Sequence, residues 1–156
     1  MPFDAFLKIE GIPGESRDVK HKDEIEVLSF SWGVTQPQQA TQARLRPGRA
    51  DVQDFTIVKG LDKASPLLFV AACHGDHFKE AIFTARKAGK GPLEFYKVTM
   101  TDVLISSVSP GGSAGGEALP LEEVRLNFGA LTIEFTSQKA DGSAGGKVTA
   151  SCAAHR

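Results

Sequence analysis

Between Glu24 and Gln36 the chain reads Glu-Ile-Glu-Val-Leu-Ser-Phe-Ser-Trp-Gly-Val-Thr-Gln. Side chains of a strand alternate between its faces, so this run predicts one long strand with two unlike sides. Leu28, Phe30, Trp32 and Val34 share one side. Ile25, Val27, Ser29, Ser31 and Gly33 share the other. The first side carries the only tryptophan of the chain and is expected to enter a core. The second becomes small and polar opposite the bulkiest residues, so it is expected to press against a neighbour or to line a smooth surface. Such a strand needs other strands beside it, and the remaining segments supply them.

Phe3 to Ile9 alternates, with Phe3, Ala5, Leu7 and Ile9 on one side. Gly11-Ile12-Pro13-Gly14-Glu15-Ser16 is turn chemistry, and a charged loop leads from Arg17 into the long strand. Phe55 to Lys59, Phe78 to Lys87 and Leu93 to Val108 all read as strands. Leu119 to Gln138 reads as another whose phase slips at Gly129-Ala130, as a bulge would make it do. Gly-rich turns follow at Gly111 and Gly142, and Lys147 to Ala153 reads as a last strand. One helix is expected at Pro66–His74, with Ser65 as its N-cap, Pro66 in the first turn and Gly75 as its stop. It is apolar nearly all round, so burial on most sides is expected. The sum is a mainly β chain, a compact barrel or two-sheet sandwich with one short helix, in a single domain spanning residues 1–156. Long strand edges invite pairing with another chain.

From Pro37 to Val52 no period emerges, and the segment reads as a long loop carrying Arg44, Arg46 and Arg49. Loops of that length are usually functional or disordered. One reading is an arm that contacts another molecule, with the arginines facing carboxylates on a partner. The other is a solvated excursion.

Composition removes several functional classes. A formal net charge of −1 gives no reason to expect nucleic acid or an anionic membrane surface. No apolar run is long enough to span a bilayer. The first residues, Met-Pro-Phe-Asp-Ala-Phe-Leu-Lys, lack the pattern of a secretory leader. Cys73 and Cys152 form no framework and are expected as free thiols.

Chemistry-bearing motifs are equally sparse. Gly111–Gly116 superficially resembles a phosphate loop, but no Lys-Ser/Thr follows and the next segment alternates as a strand. Cys73-His74-Gly75-Asp76-His77 offers ligand types in a single cluster, without a second pair at zinc-like spacing. Ser16 lacks the second glycine and the helix of a nucleophile elbow. No catalytic, cofactor or metal residue is assigned, and an enzyme is not expected.

A series of short motifs in order then points to a family. It runs through Gly14-Glu15-Ser16, His21 with Glu24-Ile25 and Val27-Leu28, Ser31-Trp32-Gly33, Val52-Gln53-Asp54-Phe55, Asp62-Lys63 with Ser65-Pro66, and His77-Phe78-Lys79-Glu80-Ala81. It continues with Arg86-Lys87-Ala88-Gly89, Asp102 to Val108, Leu126-Asn127-Phe128 and Gln138 to Gly142. In this series the chain resembles the Hcp (haemolysin-coregulated protein) family, the inner-tube proteins of bacterial type VI secretion systems.

The resemblance implies a β-barrel that closes into a homo-hexameric ring. Rings stack into a tube that a contracting sheath expels, under a tip of spike proteins, with effectors carried in the hole and a role in virulence. It also implies synthesis in the bacterial cytoplasm and export without a signal peptide, with no cofactor, nucleic acid or membrane insertion. Many relatives end in an aromatic-bearing strand, whereas Lys147–Arg156 has no aromatic residue. On this reading Ser29, Ser31 and Gly33 face the hole, and Arg44, Arg46 and Arg49 touch a neighbouring subunit or ring. The rival is a monomeric barrel carrying a small ligand in an apolar cavity.

Overall fold

The computed structural model describes residues 2–41, 44–47, 50–89, 93–116 and 119–154, and for 38–41 and 44–47 it is the backbone that is described. In chain order the strands begin with β1 (Phe3–Ile9), β2 (Ile25–Val27), β3 (Ser29–Ser31) and β4 (Val34–Thr35). Then come β5 (Gln38–Thr41), β6 (Arg44–Pro47), β7 (Asp51–Val52) and β8 (Phe55–Gly60). After the helix α1 (Ser65–His74) follow β9 (His77–Lys87), β10 (Glu94–Gly111), β11 (Leu121–Gln138) and β12 (Ala144–Ala153).

The main sheet runs β2-β1-β9-β10-β11-β8-β3, with β12 beside the second half of β11. Every pairing is antiparallel. Its two ends are consecutive in sequence. Ile25–Val27 pairs with β1 and Ser29–Ser31 pairs with β8, so one segment joins both edges and nearly closes the barrel.

That closure corrects the expectation of a single long strand. The Leu28 amide already donates to Val58 O at 2.8 Å, so the chain changes partner there, and its inward phase changes with it. Ile25 and Val27 are buried, while Leu28 is 62% and Val34 56% exposed. Phe30 and Trp32 do turn toward the core. Simple alternation assumes one continuous ladder, and a strand that crosses between two ladders escapes it.

Side chains fill the barrel. Phe55 and Phe83 are fully buried. Their ring centroids lie 5.1 Å apart, and Phe30 sits 4.6 Å from Phe83. Leu7, Ile57, Val98, Met100 and Leu126 close the remaining space. A carrier barrel would need this interior open, so the packing speaks against the small-ligand reading.

β10 and β11 each change inward phase at the same level. Val98 and Met100 point inward, then Val103 and Ile105; across the ladder, Val124 to Phe128 give way to Leu131. The pairing keeps its register here, and the register shift lies instead between Ile105 and Ser107. The expected slip at Gly129-Ala130 is therefore real in the burial pattern, but a bend made by both strands produces it. Asp102 takes a positive φ of 53° opposite Gly129, where a Cβ would come within 3.3 Å of the Asp102 side chain.

The helix starts at Ser65 rather than after it. Ala64 stands in the cap position, and Asp62 Oδ1 accepts the Ala64 amide at 3.0 Å. Ser65 Oγ, expected as the cap, accepts the Asp62 amide and donates to Glu122 at 2.7 Å. Gly75 closes the helix in the left-handed region, as expected. Burial is one-sided: Leu68 and Ala71 are buried, but Leu67, Phe69 and Val70 are exposed.

Pro37–Val52 is not a structureless loop. Val34–Thr35 pairs with Asp51–Val52, and Gln38–Thr41 pairs with Arg44–Pro47, so the segment is an antiparallel arm rooted beside Trp32. Among the described residues no ladder joins these two ribbons to the main sheet.

Candidate functional site

Outward positions of β3, β8, β11 and β10 build a largely polar face. Ser29 and Ser31 on β3 are exposed and stand opposite Val58 and Thr56 on β8. Val58 and Thr56 stand opposite Glu123 and Arg125 on β11, which in turn oppose Ser109 and Ser107 on β10. The registers align into two rows, Ser29-Val58-Glu123-Ser109 and Ser31-Thr56-Arg125-Ser107. The residues are mostly small because alternation hands the bulky partners of each strand to the core.

The charges on this face are held by near neighbours. Arg125 Nε donates to Glu123 Oε1 at 3.1 Å. The Asp54 carboxylate accepts from Ser106 Oγ at 2.7 Å and from Asn127 Nδ2 at 2.9 Å. Ser106 occupies the register shift between Ile105 and Ser107, and its hydroxyl also lies 3.2 Å from Arg125 O. The result is a wall of hydroxyls and short side chains with its ionic groups tied down.

Of the sequence-predicted residues, Ser29 and Ser31 come together here. Gly33 lies past the end of β3, at the root of the arm, where its carbonyl accepts the Gln53 amide at 2.8 Å. Arg44 and Arg46 stand in β6 of the arm; their side chains, and Arg49 altogether, lie outside the described residues. Sequence reasoning gave no role to Asp54, Ser106 and Asn127. The usable signal was a polar residue beside buried apolar ones, in Asp54-Phe55 and Leu126-Asn127-Phe128.

The Cys73–His77 turn does not assemble a metal centre. Among the described residues no group of three potential ligands is close enough to hold an ion. His77 Nδ1 instead lies 2.9 Å from Asp102 Oδ1 and ties the start of β9 to the bend in β10. Both cysteines are free and exposed.

A second cluster fastens the 11–24 excursion to the barrel. Asp18 receives two bonds from the Arg86 guanidinium, at 2.6 and 2.8 Å. Those bonds, assisted by the guanidinium charge, hold the Asp18 carboxyl below its ordinary pKa, and the same pairing raises that of Arg86. His21 stacks on Phe6 at 4.5 Å, with Nδ1 2.9 Å from Glu24 and Nε2 2.7 Å from Glu94. This cluster anchors the loop to the barrel.

Comparison with known proteins decides the family. Residues 6–135 match the family described as "Type VI secretion system effector, Hcp". The chain belongs to the Hcp family. It is 41% identical over 148 residues to the protein hcp1 of Pseudomonas aeruginosa PAO1, covering 94% of this chain and 91% of that relative. Among solved structures, Hcp1 from Salmonella typhimurium superimposes with a TM-score of 0.79 at 40% identity, covering 98% of this chain and 95% of that one. A further structure, of "a type six secretion system protein", gives a TM-score of 0.89 at 32% identity over 94% and 92% of the two chains. This Hcp chain is thus a type VI secretion protein with the family's barrel. Among its described residues no helix is long and apolar enough to cross a membrane.

Proposed function

We propose that this Hcp chain is a structural tube subunit. A single barrel domain assembles into hexameric rings, and the rings stack into a tube that the type VI sheath drives outward beneath a spike. The closed symmetry of a ring uses up the subunit interfaces. The protein leaves the cytoplasm through this machine rather than through a leader-dependent route, and it performs no catalysis of its own. The wall carrying Ser29 and Ser31 faces the hole, with Gly33 at its margin, and effectors lie against it. The arm bearing Arg44, Arg46 and Arg49 touches the neighbouring subunit or ring.

The observation that carries this reading is the pair of aligned rows of small, charge-balanced residues on one outward face of a filled barrel in a type VI secretion family. Its interior cannot hold cargo, so the outer wall is the surface available for it.

Light scattering with negative-stain imaging tests the assembly directly: rings are expected, and a monomer at every concentration would overturn the reading. A Ser31→Trp variant tests the wall. It is expected to keep the rings and lose effector capture, since an indole on that row occupies the space a cargo surface needs. Loss of the rings themselves would make Ser31 a packing residue instead.

A further inference from the structure

His21 is buried in a segment that is otherwise open to water. It is 7% exposed, whereas Val19 is 95% exposed and Lys20, Lys22 and Asp23 are exposed as well. Its ring lies flat on Phe6, which stands on the outward side of β1, outside the core, and is nevertheless buried. The excursion is what covers Phe6 there.

The imidazole is engaged at both nitrogens. Nδ1 lies 2.9 Å from Glu24 Oε2, and Nε2 lies 2.7 Å from Glu94 Oε1. An ionised carboxylate only accepts hydrogen bonds, and a neutral imidazole has a single N–H. Both contacts are therefore hydrogen bonds only when the ring carries two protons. With one proton, a nitrogen lone pair is turned on a carboxylate oxygen. The two partners differ in their freedom to respond: the Glu24 side chain is 12% exposed and the Glu94 side chain 40%, so Glu94 is the one that can turn to water.

Glu94 stands opposite Arg86 where β9 meets β10, and Asp18, earlier in the excursion, binds Arg86. The excursion thus clasps two cross-strand neighbours, an anion onto a cation and a cation onto an anion. Other charges face this patch: Asp4 and Lys8 alternate with Phe6 on β1, Glu26 of β2 stands opposite Phe6, and Lys97 of β10 stands opposite Thr84. Among the described residues only Glu24 and Glu94 bond the ring nitrogens.

We infer that His21 is a proton-operated latch: with both ring protons it bridges Glu24 and Glu94 and closes the 11–24 excursion on the barrel. When Nε2 gives its proton to solvent, Glu94 is released and the excursion loosens over Phe6. The clasp is complete while the ring is doubly protonated and is lost as pH rises.

Hydrogen exchange of the full chain tests it, at about pH 5.5 and about pH 9, a span that brackets the ordinary charge change of histidine. Labelling times are scaled for intrinsic exchange. The amides of Gly14, Ser16 and Asp23 pair within the excursion and with Glu24, so they report its closure. Their protection should fall at least about tenfold between the two values, the effect of losing one charged hydrogen bond, with β11 amides as the internal reference. Two variants separate the latch from a merely structural contact. In Glu94→Gln the amide can accept from a protonated ring nitrogen or donate to a bare one, so the pH step should disappear. His21→Gln has no ring to titrate and should lose the step as well. Equal protection of the wild type at both values would overturn the latch, and so would a step of undiminished size in either variant.

Discussion

The residues that marked the family in sequence are mostly fastenings. Gly14 shows why one of them is glycine: a Cβ there would lie 2.4 Å from Glu24 O, so only hydrogen lets the two backbone segments meet. Glu122 and Lys59 are buried together, with Ser65 completing the network. Asp18 and Arg86 clamp the same excursion from outside. Replacing Asp18 with Asn should cost about 1–2 kcal/mol at neutral pH, the range for a partly buried charged hydrogen bond. The sign with pH follows from the lowered pKa. The clamp contributes fully above the ordinary carboxyl value of 3.8 and is lost as pH falls below it, when Asp18 protonates in the folded state. Urea unfolding of wild type and D18N should therefore differ most near pH 7 and converge below pH 3.8. A gap that persists in acid would mean that packing, not charge, fixes the loop. None of these roles was legible beforehand, because each depends on which partner the fold brings near, and local pattern does not mark that.

At the scale of elements, strand existence was legible and strand partnership was not. Periodicity gave β1, β8, β9, β10 and β11 nearly as they stand, since one covered face imposes a period of two. It merged β2, β3 and β4, because a switch of partner at Leu28 leaves no mark in local hydrophobicity. It read the arm as irregular for a related reason: Gln38-Gln39-Ala40-Thr41 and Arg44-Leu45-Arg46-Pro47 carry no apolar alternation. Helix α1 shows the converse error, an apolar composition taken for burial on most sides. Its two faces should separate on mutation. Leu68→Ala removes a fully buried side chain and should cost about 2–5 kcal/mol. Phe69→Ser alters a side chain 59% exposed and should change the stability of the isolated chain by no more than about 0.5 kcal/mol. Thermal melts of both variants at low concentration check this, and a large loss from Phe69→Ser would mean that the helix packs differently.

For the whole molecule, the filled interior holds the shape, and under the proposed function the polar outer wall is the surface that serves assembly and transport. If rings form from copies that fold first, assembly adds its free energy to stability by mass action. The melting temperature should then rise by several degrees between low- and high-micromolar protein, and a concentration-independent value would argue for a monomer. Reversing Arg44, Arg46 and Arg49 to Glu should weaken stacking, measured by sedimentation of tubes. The defect should vary with ionic strength, because charge contacts at exposed sites are screened within about 10 Å at 0.1 M salt. Tubes that form equally well from the reversed protein would show that the arm makes no charged contact.

The amino-acid sequence by itself determined the class of fold, the location of most strands and, through motifs spread along the chain, the family. Those properties are written locally, in alternation, turn residues and short ordered patterns. Only the tertiary structure decided which edge Ser29–Ser31 pairs with, that Leu28 and Val34 face outward, and that Asp54, Ser106 and Asn127 meet. These depend on where the closing strand changes ladder, and that is set by the geometry of the whole barrel rather than by any one segment.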